Sequence, residues 1–332
     1  LEAPAEWLQT RAENLEPFKD LIAEMTPERC SELTTIPVET LEEAARLYAS
    51  VDAAMSVHGL GMTEHSHGSE GVMALASLAL LTGNVGRPGT GINPLRGQNN
   101  VQGSCDMGAL PNVYTNYQSV EDVEQREKIS ASWGIQAPTQ PGLTYPQMLE
   151  SVREGKVRSM YMVGSDIAHT DPNNKQVETD LAHLELLIVQ DIFMCESAKR
   201  AHVILPAATF LESNGTYTNG ERRIQRIRKA LDPPGQAKED WIIVAELAEA
   251  MGRPIVSSRK VSDVWDELAA LTPNFAGITY ERLESPSAVQ WPAPTAEHPG
   301  TTVMHETAFS RGLGHFAAPR YEEPNERTSP DY

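Results

Sequence analysis

The chain has 332 residues, 40% hydrophobic and 22% charged, which suits a soluble protein of two ordinary domains and excludes a disordered one. With 46 acids against 27 bases the net charge is −19, so a polyanion such as nucleic acid is disfavoured as a partner. No apolar run approaches the ~18 residues that a membrane span needs, the longest being Gly71 to Leu81.

Residues 5–25 carry Trp7, Leu8, Leu15, Phe18, Leu21 and Ile22 at roughly helical spacing and predict one amphipathic helix. Thr26-Pro27 reads as a helix start, with Thr26 as cap and Pro27 in the first turn. Thr40 and Glu43 stand in capping-box positions for a helix running to about Ala49. Ala53 to His58 reads as a short buried strand. Gly59-Leu60-Gly61-Met62-Thr63-Glu64-His65-Ser66-His67-Gly68 follows it, and then a helix from Ser69 to Leu81 closed by Gly83. Strand, glycine loop and helix present backbone N–H groups to a phosphate. The dinucleotide fingerprint would need glycine where Glu64 stands, however. His65 and His67, two apart with no third ligand nearby, make poor zinc spacing, so no metal ligand is assigned.

Five side-chain amides and one guanidinium crowd into Asn93-Pro94-Leu95-Arg96-Gly97-Gln98-Asn99-Asn100-Val101-Gln102-Gly103. A helix disfavours this mix, and a strand would need an alternation that is missing. An ordered loop is expected, which bonds either its own backbone or a ligand. Arg96 offers a planar fork that matches a carboxylate or phosphate. Residues 112–145 read as loop. After them come a helix (146–154), a strand (158–163), a helix (174–184), a strand (186–189), a short helix (196–200) and a strand (203–205). This alternation predicts a parallel, doubly wound α/β sheet, whose ligands bind beyond the carboxyl ends of the strands. Gly164 to Thr170 and Gln190-Asp191 lie at such ends. Residues 212–220 are turn-rich, 222–228 read as a strand with a basic side, and helices are expected at 240–251 and 261–271. Cys30, Cys105 and Cys195 form no C-x-x-C and no regular spacing, which argues against a disulfide framework and fits a reducing compartment, the cytoplasm. The chain begins at Leu1 without a signal-type segment and ends in a polar stretch, 322–332; either the termini are processed or it is a piece of something longer.

The run from Gly59 to Gly108, including Leu80-Leu81-Thr82-Gly83-Asn84-Val85-Gly86-Arg87-Pro88-Gly89, resembles the molybdenum/tungsten bis-pterin guanine dinucleotide oxidoreductases. Arg96-Gly97-Gln98-Asn99-Asn100-Val101-Gln102-Gly103 with Asp106-Met107-Gly108-Ala109-Leu110-Pro111 is similar to the formate dehydrogenase catalytic subunits among them. Val189 to Met194, Val203 to Pro206 and Asn214 to Asn219 continue the likeness, which covers about residues 30–255. The resemblance implies two doubly wound, mostly parallel-sheet domains, incomplete at both ends. The expected division is 1–97, 98–210, a small β segment at 211–238, and a return segment at 239–332.

It further implies that Arg96 orients formate. Leu60, Met62, Thr63 and Glu64, with Gln98 and Val101, would line a pterin. Gly164, Ser165, Asp166 and Thr170, with Gln190, Asp191, Ala207 and Asp240 around them, would hold a guanine nucleotide end. The implied cofactor is molybdenum- or tungsten-bis(molybdopterin guanine dinucleotide), with a 4Fe–4S cluster in an amino-terminal region that this sequence lacks. The implied partners are formate/CO2 and electron-transfer subunits or an NAD, ferredoxin or hydrogenase partner. The family's cluster cysteines, its metal-ligating Cys or selenocysteine with the adjacent histidine, and its closing carboxyl-terminal domain have no counterpart here. The chain therefore resembles the middle of a catalytic subunit and alone is expected not to turn over formate. Competing readings are another bis-pterin enzyme such as a nitrate reductase, the metal-free large subunit of respiratory complex I, and a non-catalytic binding module.

Overall fold

The computed structural model describes residues 3–255, 260–284 and 288–323. The polar stretch expected at 322–332 lies outside the described residues from 324 onward. The fold is mixed α/β with mostly parallel sheets, and it divides into two compact units, Leu1–Gln98 with Thr301–Tyr332, and Asn99–Gly300.

In the first unit the helix expected over 5–25 is two, Ala5–Arg11 (α1) and Leu15–Ile22 (α2), split by the strand Ala12–Glu13 (β1). The break has a long-range cause. β1 pairs in parallel with a short strand, Gly314–His315. Asn14, left-handed at φ 64°, donates from Nδ2 to the Phe316 carbonyl at 2.7 Å, and Phe18 stacks on the Phe316 ring at 5.1 Å. Leu8, Phe18, Leu80 and Phe316 form this unit's buried core. Pro27–Thr34 (α3) starts as expected, with Thr26 Oγ1 accepting from the Arg29 N–H at 3.2 Å. Val38–Ser50 (α4) starts before Thr40, after Pro37, whose fixed φ prepares a helical start just as well.

Met55–His58 (β2) is a strand but not a buried one. Among the described residues it has a single partner strand, Gly91–Pro94 (β3), in parallel register, and Met55 and Val57 remain 46% and 54% exposed. One helical turn, Leu60–Thr63 (α5), and the helix Gly68–Leu81 (α6) follow β2. The expected loop at 93–103 is thus a strand end, an exposed turn, and the start of a helix, Val101–Asp106 (α7).

In the second unit, Val123–Trp133 (α8) occupies part of the expected loop at 112–145. Asp122 caps it and Gly134 ends it at φ 61°. Tyr145–Arg153 (α9) carries a capping box from Thr144 and Gln147. Then come Ser159–Val163 (β4), Ile167–Thr170 (α10), Asn174–Ala182 (α11), Leu186–Asp191 (β5) and Val203–Pro206 (β6), forming one parallel sheet in the order β4-β5-β6. Only a 3-10 turn, Ala198–Arg200, forms where a helix was expected near 196–200. Leu149, Val152, Met162, Val177, Leu181, Leu187 and Val189 bury one face of this sheet under α9 and α11. Gly215–Thr218 (β7), in the stretch read as turns, pairs antiparallel with Arg223–Ile227 (β8). Asp240–Ala250 (α12), Val261–Leu271 (α13) and the strand Val289–Gln290 (β9), which pairs with β8, complete the unit.

Candidate functional site

Parallel strands direct ligand-binding loops from their carboxyl ends, and most of the residues singled out in the sequence lie there, whereas Val101 and Asp240 open helices. In the first unit His58 and Pro94 are register partners at the ends of β2 and β3, and the Leu95 N–H donates to the His58 carbonyl at 2.8 Å. The loop carrying Leu60, Met62, Thr63 and Glu64 and the turn carrying Arg96 and Gln98 therefore leave from adjacent positions. Leu60, Leu95, Arg96 and Gln98 are exposed, and Met62 is half-buried. Gly68 fixes the far end of the first loop, because a Cβ there would fall 2.2 Å from the Thr63 carbonyl oxygen. His65 Nδ1 is used inside that loop, accepting from the His67 N–H at 3.2 Å.

The amide-rich stretch separates into two kinds of residue. Asn100, at φ 63°, accepts from the Thr218 N–H at 3.0 Å, and its Oδ1 lies 2.0 Å from where a Cβ on residue 103 would sit. That is why residue 103 is glycine. Gln102 is buried and donates to Asp106 at 2.7 Å. These side chains build α7 against β7; Val101 opens the same helix. Arg96, Gln98 and Asn99 are exposed, and the self-satisfying reading of the loop holds for its second half.

In the second unit the loops after β4, β5 and β6 bring together Gly164, Ser165, Asp166, Thr170, Gln190, Asp191 and Ala207. Gly164, at φ 59°, donates to the Gln190 carbonyl at 2.8 Å and turns the chain out of β4. Asp166 Oδ1 accepts from the Ser197 N–H and hydroxyl, both at 2.8 Å, and Oδ2 from the Glu196 N–H at 3.2 Å. Burial pushes this carboxyl up, but these bonds outweigh it and hold it below the ordinary range. Asp166 thus ties the loop after β4 to the loop after β5. Thr170 donates to the Asp166 carbonyl at 3.0 Å.

Gln190 is fully buried; it accepts from the Tyr161 hydroxyl and donates to Asp240 Oδ1 at 2.5 Å. Asp240 stands exposed at the first position of α12. Burial first, then the charge of Asp240, pushes the phenols of Tyr161 and Tyr217 up. Asp191 caps its own turn, accepting from the Phe193 N–H at 3.0 Å, and the Ala207 N–H donates to the Asp191 carbonyl at 3.1 Å. Ile192, Phe193 and Met194 beyond it are exposed, Phe193 by 74%.

Three contributors escaped sequence reasoning. Ser197 and Tyr161 matter only through partners 31 and 29 residues away. His58 gave one signal, a polar residue closing an apolar strand; its Nδ1 is buried without a hydrogen-bond partner among the described residues. Among those residues no three His, Cys, Asp or Glu side chains gather as a metal site.

A family model described as molybdopterin oxidoreductase matches residues 2–250. The chain is 44% identical over 334 aligned residues, 99% of its own length, to the F420-dependent formate dehydrogenase 2 subunit alpha of Methanococcus maripaludis, 49% of which it covers. It is 38% identical to formate dehydrogenase H of Escherichia coli, with 98% of the chain and 46% of that protein aligned. Acetylene hydratase from Pelobacter acetylenicus has the same fold, with a TM-score of 0.66 at 16% identity, over 98% of this chain and 48% of that one. The chain spans about half the length of the relatives it matches.

Proposed function

This chain belongs to the molybdopterin oxidoreductase family, and from that premise we propose that it is the central part of a formate dehydrogenase catalytic subunit. The observation that carries the reading is the placement of Arg96. It stands exposed at the carboxyl edge of the β2–β3 pair, beside the Leu60–Glu64 loop, in a chain aligned along its whole length with proteins named formate dehydrogenase.

The family's molybdopterin fits the residues present. At that edge His58 Nδ1 is a buried polar atom with no partner among the described residues, and Leu60 and Leu95 offer apolar surface. In the second unit Asp240 is an exposed carboxylate with one oxygen steered by Gln190. In the finer form of the proposal the cofactor is a molybdenum- or tungsten-bis(molybdopterin guanine dinucleotide). Leu60, Met62, Thr63, Glu64, Gln98 and Val101 would line a pterin; Gly164, Ser165, Thr170, Asp191 and Ala207 would hold a guanine nucleotide end. The Asp166 oxygens already serve the 195–198 loop, so Asp166 shapes that end, and Asp240 is the better acceptor for the paired N–H donors of guanine. When bound, such a group supplies the electron-accepting chemistry. Arg96 grips the formate carboxylate through paired N–H bonds and sets the direction of its C–H bond. Formate and CO2, an electron-transfer partner, a 4Fe–4S cluster held outside this span and a cytoplasmic setting belong to the same proposal. No helix among the described residues is long and apolar enough to cross a membrane.

The test is Arg96→Lys in the full-length protein. An ammonium cannot copy the fork, and losing a charge-assisted bond of about 1.5–3 kcal/mol lowers kcat/KM for formate roughly ten- to a hundredfold with pterin content retained. Unchanged formate kinetics would exclude the assignment.

A further inference from the structure

Asp106, the last residue of α7, is completely buried, and the proposed chemistry does not use it. A buried carboxylate is costly unless it is paired and hydrogen-bonded. Among its partners, Gln102 Nε2 donates to Oδ1 and Trp291 Nε1 to Oδ2, each at 2.7 Å. The Tyr117 hydroxyl also bonds to it, with Gln102 Nε2 3.3 Å from the same hydroxyl. Burial and the charge of Asp106 push the Tyr117 phenol up to about 12, which keeps it a donor.

The backbone around this carboxylate is held in expensive conformations. Asn116 and Tyr117 are consecutive non-glycine residues at φ 50° and 63°, and Arg222 stands at φ 65°. Such residues persist only where surrounding contacts over-determine them. Here Tyr117 reaches Asp106, while Arg222 lies 5.5 Å over the Trp291 ring and donates to the Trp291 carbonyl. At the other end of α7, Asn100 is locked by Thr218 and by the absent side chain of Gly103. A helix of six residues has little stability of its own. Both of its ends are therefore clamped from outside.

We propose that Asp106 is a positioning residue: it pins the carboxyl end of α7 to Trp291 and Tyr117, so that Asn100 and Val101 at its start keep one backbone geometry toward the bound cofactor. What is positioned rests on the proposed function; the clamp does not.

The experiment uses the full-length protein with Asp106→Asn, which keeps the shape but turns one acceptor into a donor facing Gln102 or Trp291. Amide hydrogen exchange of 99–106 is expected to rise about tenfold while β4–β6 are unaffected. With pterin content unchanged, kcat should fall about tenfold or more and KM for formate should move by less than about threefold. Exchange that does not change overturns the clamp, and faster exchange with unchanged kcat reduces Asp106 to a purely structural residue. If Asp106→Asn does not fold, Trp291→Phe and Tyr117→Phe each remove one donor and leave the carboxylate. Each should then raise exchange and lower kcat by about threefold, and no change in either variant overturns the proposal. If the unaltered protein does not turn over formate, the proposed function fails by itself, and the exchange result still decides the clamp.

Discussion

At the scale of single residues, the carboxylates of the second unit divide by what they hold. Asp166 is ionised more readily in the fold than in the unfolded chain, because burial is outweighed by its bonds to Ser197 and Glu196. A depressed carboxyl contributes stability above its unfolded value, and the contribution is lost as pH falls through the lower folded value. Asp166→Asn should therefore cost about 1 kcal/mol or less at neutral pH, after solvent screening, and the gap to wild type should close below about pH 4. Urea unfolding at both pH values measures this, and a gap independent of pH would show that charge plays no part. Asp180 is fully buried, with Arg153 Nη1 and Gln176 Nε2 each 2.8 Å away. Asp180→Ala leaves those donors unpaired between α9 and α11 and should cost about 1–3 kcal/mol. A urea midpoint shifted by less than the error of the curves would mean that water replaces the carboxylate.

Elements were legible in the sequence wherever their cause was local. Thr26-Pro27 announces α3, Asp240-Trp241 opens α12, and β4, β5 and β6 are β-branched or apolar runs between helices. Where the cause was distant, reading failed. Nothing between residues 5 and 25 reveals that Ala12 and Glu13 pair with Gly314 and His315. In α8 only Ile129 is buried, so there was no apolar stripe to detect, and β7 lies in a run rich in turn-forming residues. The site divides likewise. The strand ends that carry the candidate loops were visible, whereas the ties of Ser197 to Asp166 and Tyr161 to Gln190 exist only after folding. Gly68 supplies the test at this scale. An alanine Cβ there would meet the Thr63 backbone, so Gly68→Ala should displace α5 at a cost of about 1–3 kcal/mol, overpacking that flexible side chains cannot relieve. Thermal melting of that variant at the wild-type temperature would mean that the loop shifts freely and that Leu60–Thr63 is not rigidly placed.

At the scale of the whole molecule, the first unit is made of two separated stretches of chain, and the second is continuous. Phe316, fully buried, belongs to the first unit's core with Leu8, Phe18 and Leu80. A chain ending at Gly300 should therefore keep slow amide exchange in β4–β6 and lose it in α2 and α6. Equal protection in both units would show that the 301–323 stretch is dispensable. During synthesis the same arrangement becomes a matter of timing. Leu8 and Phe18 leave the ribosome early, but the ring that covers them is not made until the whole of the second unit has been translated, on the order of tens of seconds later at ordinary elongation rates. The segment that carries Leu8 and Phe18 must wait through that interval with apolar side chains uncovered. It is there, before either unit meets a cofactor, that a chaperone would have most to do.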